Sequence, residues 1–165
     1  MRIKQSVLAL LACLCTLPSV AATPERLLAG FQQTRVVILS ETSPCVLFET
    51  WVAASPAERS KGLMFIESLD PHEGMVFIYQ QSVEIAMWMR NTLIPLDMLF
   101  IRSDQTIARI EANTTPLSEA SIYSGEPVQI VLEVPGGTAA RWNFQEGARL
   151  WFIDRQTEPP PLTSL

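Results

Sequence analysis

Eight short segments dominate this chain, each apolar or alternating, rich in Val, Ile, Phe and Trp, and separated from the next by turn residues. They cover roughly residues 35–40, 45–53, 74–79, 84–90, 97–101, 106–111, 128–134 and 148–154. Such runs are too short and too β-branched for helices and suit a mostly antiparallel sheet. Ser103-Asp104-Gln105 closes a hairpin between the fifth and sixth. Helix signals are few. Ser55-Pro56-Ala57-Glu58 sets a capping serine, a proline at the first helical position and a glutamate three residues after the cap, so a short helix runs to about Gly62. A second helical turn fits residues 138–143, after Gly136-Gly137. With so little helix, the sheet must protect its edges by curling. The expected fold is mainly β (α+β): a compact β-barrel-like single domain with one or two short helices.

The beginning of the chain has a different character. Arg2 and Lys4 precede an uncharged apolar run over residues 7–17, then Pro18-Ser19 and the small residues Val20-Ala21-Ala22. That layout reads as a cleavable signal peptide over residues 1–22. The run is short for a bilayer span, and no later stretch is uncharged for the length needed. The expectation is an exported protein, periplasmic or secreted in a bacterial envelope, without a transmembrane anchor. The alternative, Leu10-Leu11-Ala12-Cys13 as a lipobox with a lipid anchor on Cys13, has a very short apolar region and an unusual Leu11. Cleavage after Ala22 removes Cys13 and Cys15 and leaves only Cys45, so no intramolecular disulfide is expected. Cys45, between Pro44 and Val46-Leu47-Phe48 with no histidine nearby, reads as a small structural thiol rather than a nucleophile. The domain is placed at residues 34–155, and residues 156–165, with Pro159-Pro160-Pro161, read as a disordered tail. A net charge of −5, more negative still without Arg2 and Lys4, argues against nucleic acid as a partner.

Strand alternation singles out polar residues. In the second segment Glu49 shares a face with Leu47, Trp51 and Ala53, and in the seventh Gln129, Val131 and Glu133 oppose Ile130, Leu132 and Val134. A buried carboxylate needs a partner or a raised pKa. Arg59 and Asn91 are candidate partners, and a purely structural ion pair is the competing reading. The densest stretch is 87–97, where a strand ends at Asn91-Thr92, turns at Pro95 and restarts at Asp97. Beside Trp88, these residues make a polar floor with an aromatic wall, unless they only satisfy local backbone groups.

Several of these residues recur in a fixed order: Arg59, Gly62-Leu63-Met64, Gly74-Met75 with Phe77, Trp88-Met89-Arg90-Asn91-Thr92, Ile94-Pro95-Leu96-Asp97 with Phe100, and Leu132-Glu133 before Gly136-Gly137. The set, with Glu49 ahead of it, resembles the domain of unknown function 192 family over roughly residues 47–153. The resemblance implies a compact β-barrel-like domain, often exported, and brings no established activity. The family usually has an arginine two residues after its Gly-Leu-Met, where this chain has Ile66.

Three functions remain open. The first is a non-enzymatic domain binding an unknown small molecule or envelope protein, with Arg59, Trp88, Asn91, Thr92, Asp97, Glu133 and Glu49 as candidate site residues and no cofactor. The second is a soft-metal site for copper through Met64, Met75, Met87 and Met89, since thioethers select Cu(I), although methionine also fills irregular cores. The third is a hydrolase using Asp97 with Glu49 or Glu133 as acid and base. The single histidine, His72, lies in the turn-like Asp70-Pro71-His72-Glu73, which disfavours histidine-dependent triads.

Overall fold

A computed structural model of the 165-residue chain describes residues 24–40 and 43–153. The signal peptide expected over residues 1–22, the Cys13 alternative and the expected Pro-rich tail lie outside the described residues. Seven strands, β1 (Gln32–Ser40), β2 (Ser43–Ala53), β3 (Glu73–Met87), β4 (Leu96–Ile101), β5 (Ile107–Glu111), β6 (Ile122–Pro135) and β7 (Arg149–Ile153), form one sheet in the order β5-β4-β6-β3-β2-β1-β7. Every pairing is antiparallel except β2 with β3. Three short helices accompany them: α1 (Pro24–Leu27), α2 (Pro56–Lys61) and α3 (Thr138–Arg141).

The sheet curls until its ends meet. Thr106 bridges to Arg149, and the amides of Ile107 and Leu150 donate to the carbonyls of Ala148 and Gln105 at 2.8 and 2.9 Å. The curl occupies part of both edge strands, which would otherwise offer unpaired backbone to other chains. The fold is the mainly β, barrel-like domain that the segment pattern predicts.

Alternation then divides the apolar residues between two cores. Val36, Ile38, Phe48, Val76, Leu99, Ile107, Leu132 and Leu150 fill the inside of the curl. Trp51, Met75, Phe77, Met98 and Val131 point the other way and are covered by Leu28, Leu63, Ile66 and Met89 from outside the strands. Strand β4 is buried at all six positions, as its almost continuous apolar run requires.

The parallel β2–β3 pairing needs a crossover, and α2 sits on it. The Ser55 amide donates to Glu58 Oε2 at 2.7 Å while the Glu58 amide donates to Ser55 Oγ at 3.2 Å, the reciprocal cap expected from the sequence. The helix ends at Gly62, whose φ of 47° reverses the chain.

Two expectations need correction. The third and fourth segments are one long strand, β3, in which exposed Gln80-Gln81-Ser82 mimic a loop while the ladder to β6 shifts register and continues. Strand β6 likewise begins at Ile122, before Ser124-Gly125-Glu126-Pro127, turn-like residues that form a bulge with Gly125 at φ 77°. Ser124 Oγ holds that bulge by accepting from the Ile85 amide at 3.0 Å and donating to the Glu126 carbonyl at 2.7 Å.

Candidate functional site

Strand parity sorts the candidate residues first. On β6, Ile130, Leu132 and Val134 face the inside of the curl, so Glu133 faces outward with Val131. On β4, Met98 lies opposite Glu133 and Asp97 opposite Val134, which sends Asp97 to the inner face. Glu133 and Asp97 are therefore on opposite sides of one sheet.

A cavity of about 310 Å³ opens on the outer side, above Glu133. Leu63, Phe77, Met87, Thr92 and Glu133 are buried in its lining, and half-buried Tyr79 continues the wall along β3. Arg59 and Lys61 reach it from α2, with Met64 just beyond. Trp88, Arg90 and Thr92 reach it from the segment after β3. Gly62 allows this closure: a Cβ there would lie 3.3 Å from Phe77 Cζ, in a backbone conformation that side chains rarely adopt.

Glu133 is 4 % exposed, and among the described residues no hydrogen bond or ion pair reaches its carboxyl. Burial alone pushes its pKa up to about 8, so near neutral pH it is mainly a protonated acid able both to donate and to accept. Burial also raises the Tyr79 phenol, an effect that Arg59 partly offsets and Glu133 reinforces.

The cations are held by carbonyls and rings. Arg59 Nη1 donates to the carbonyls of Ala54 and Ile78, the latter at 3.1 Å, and its guanidinium lies 4.6 Å from the centre of the Tyr79 ring. Arg90 stacks 4.1 Å over Trp88. Lys61 Nζ donates to the Leu27 carbonyl and lies over Phe31. The ion pairs among the described residues, Arg102–Glu126 and Arg109–Glu111, are not on the cavity. Arg59 thus lies on the same cavity as Glu133 without the salt bridge that the sequence suggested.

Of the seven candidates, Arg59, Trp88, Thr92 and Glu133 line the cavity. Asn91 does not; it is exposed in a left-handed turn at φ 56°, its carbonyl accepting from the Phe65 amide at 2.9 Å and its amide meeting Met64 Sδ at 3.7 Å. Asp97 is a backbone clamp. Its Oδ1 accepts from the amides of Asn113 and Gly137 at 2.8 and 3.0 Å, and its Oδ2 from that of Ala139 at 2.7 Å. Glu49 lies on the face that strand parity gives it, but is exposed, because the covering that buries Trp51 and Ala53 does not extend to that end of β2. The carboxylate pairs proposed for a hydrolase are therefore not brought together.

The methionines also separate. Met64 and Met87 line the cavity, while Met75 and Met89 are fully buried in the core, Met89 Sδ receiving the Thr114 hydroxyl at 3.2 Å. Among the described residues no three His, Cys, Asp or Glu side chains gather as a metal site. Ile66 is wholly buried in the outer core. Exposed His72 turns Nδ1 toward the Leu47 carbonyl at 3.0 Å, and exposed Cys45 has its thiol pKa raised by partial burial.

Tyr79, Lys61 and Arg90 also line the cavity and are not among the candidates named from the sequence. Tyr79 was recoverable, since it continues the Met75, Phe77 parity toward the outer face. Lys61 and Arg90 carried no such signal, because their place depends on how α2 and the end of β3 meet.

Comparison with known proteins agrees with the fold and supplies no activity. No curated protein matches the chain. A proposed transcription regulator from Sinorhizobium meliloti 1021 is 39% identical with a TM-score of 0.72, the match covering 74% of this chain and 95% of the other. A protein of unknown function from Novosphingobium aromaticivorans DSM 12444 is 36% identical, also with a TM-score of 0.72, over 74% of this chain and 87% of that one. The model of the family DUF192, described as an uncharacterised ACR, matches residues 37–152, and the chain belongs to that family.

Proposed function

We propose that this is an exported, non-enzymatic domain that binds a small molecule in the cavity above Glu133. The observation that carries the reading is the carboxyl itself: a buried polar group without a protein partner is costly, and here it borders an open cavity. A ligand supplying the missing hydrogen bonds would offset that cost. The volume lies at the lower end of small-molecule sites, and the lining mixes apolar walls with polar and charged side chains that could orient a ligand. A second carboxylate, a histidine or a cysteine is absent from that lining, which favours binding over acid–base or nucleophilic chemistry. Export rests on the sequence layout of residues 1–22. The transcription regulation in the name of the Sinorhizobium relative does not carry over to a nucleic-acid contact here, because a net charge of −5 runs against one.

Native mass spectrometry of the protein purified from its own envelope tests this reading. The wild type should retain a small mass that a Glu133→Ala variant of equal folded content lacks. The same adduct on both proteins, or none on either, would count against the cavity.

A further inference from the structure

We infer that the cavity selects a small organic anion, with its charged group held at the mouth by Arg90 and Arg59 and a neutral hydrogen-bonding group turned inward to Glu133. This rests on the small-molecule reading above and names the ligand class.

Charge is distributed unevenly around the cavity. Acidic residues outnumber basic ones in the whole chain, 17 to 12, yet Arg59, Lys61 and Arg90 line the cavity and Glu133 is the one acid among its lining residues. Among the described residues those cations are not paired with carboxylates. Arg90 lies 4.1 Å over the Trp88 ring and no carboxylate of the described residues pairs with it, so its guanidinium N–H groups are left for an anion. Arg59 spends Nη1 on two carbonyls and is fixed against Tyr79, so its remaining donors are oriented in advance. Lys61, tied to the Leu27 carbonyl, adds to the positive field.

The carboxyl at the buried end completes the selection. An ionised floor would repel an anion, whereas a protonated one donates a hydrogen bond to a hydroxyl or carbonyl. Glu133 faces Arg59 and Lys61 on α2, Tyr79 on β3 and Arg90 beyond β3, with Met75 and Met98 as its cross-strand neighbours. Burial lifts the Tyr79 phenol further from neutrality, and a change in binding around pH 8 is read as the ionisation of Glu133. The walls from Leu63, Phe77 and Met87 suit a compact apolar body between the two polar ends.

The test is calorimetric titration of the full domain with 4-(hydroxymethyl)benzoate and, as its neutral counterpart, 4-(hydroxymethyl)benzamide, at about pH 7. The carboxylate should bind about tenfold tighter than the amide, and Arg90→Gln should remove most of that difference. Glu133→Gln should abolish the weakening that the wild type shows above about pH 8. Equal affinities for the two probes, tighter binding of the amide, or no saturable binding of either up to about 10 mM would overturn the anion assignment. The small-molecule reading fails separately, by the loss of the adduct difference between wild type and Glu133→Ala.

Discussion

Replacing Asp97 should damage the fold far more than binding. Its carboxylate accepts three backbone amides, from Asn113 in the loop after β5 and from Gly137 and Ala139 at α3, and so ties two chain reversals to β4. A hydrogen bond to a charged group contributes about 1.5–3 kcal/mol, and a buried amide left unmade costs about 1–3 kcal/mol. The Ala139 amide bond is fully buried and the other two partly so, which makes the loss in Asp97→Ala about 4–6 kcal/mol. That approaches the whole stability of a small domain, about 5–15 kcal/mol. Asp97→Asn keeps one acceptor oxygen but turns an NH2 group toward one of the amides, and should lose about 2–4 kcal/mol. Urea unfolding followed by tryptophan fluorescence reads both values. With a slope near 2 kcal/mol/M, the midpoint should fall by about 2–3 M for the alanine variant and about 1–2 M for the asparagine variant. A loss below about 1 kcal/mol in Asp97→Ala would refute the clamp, as would a variant that stays equally stable but loses cavity binding.

Three further outcomes follow from the same geometry. Gly74→Ala places a Cβ 2.4 Å from the Glu133 carbonyl oxygen, so β3 and β6 must part; thermal unfolding should show a loss of about 1–3 kcal/mol. Ser55→Ala removes half of the reciprocal cap on α2 and should cost about 1 kcal/mol in the same assay. Glu133, neutral in the fold up to about pH 8, binds a proton more tightly there than in the unfolded chain. Its contribution is therefore fully present at acid pH, declines as pH rises above the unfolded value of 4.5, and levels off above about 8. Glu133→Gln lacks that decline and should gain roughly 3 kcal/mol on the wild type between pH 4.5 and 7, measured by urea unfolding at several pH values.

The strands were legible because parity and β-branched content report directly on a pleated, buried surface. The helix at Pro56 was legible for a local reason, since its cap is written in four consecutive residues. What misled was polarity inside long strands: Gln80-Gln81-Ser82 and Ser124-Gly125-Glu126-Pro127 carry the composition of turns, yet the β3–β6 ladder continues past both. Helix α1 was missed because Pro24–Leu27 is too short for any periodicity, and only tertiary contact reveals that Leu28 closes the outer core. For the site, parity alone placed Glu133 with Val131, but the same rule applied to Asp97 needed the β4–β6 register, which no local pattern specifies. Glu49 shows the complementary limit, because alternation gives the face of a strand and not whether anything covers it.

The claim that the cavity is where this domain meets its ligand can be tested by titrating a library of small fragments into uniformly ¹⁵N-labelled domain and mapping amide shift changes. The account predicts that perturbed amides gather at residues 61–64, 88–92 and 133, and that Glu133→Ala removes the changes while the rest of the spectrum is preserved. Shifts that scatter over the surface, or that gather around Asp97 on the opposite face of the sheet, would contradict it.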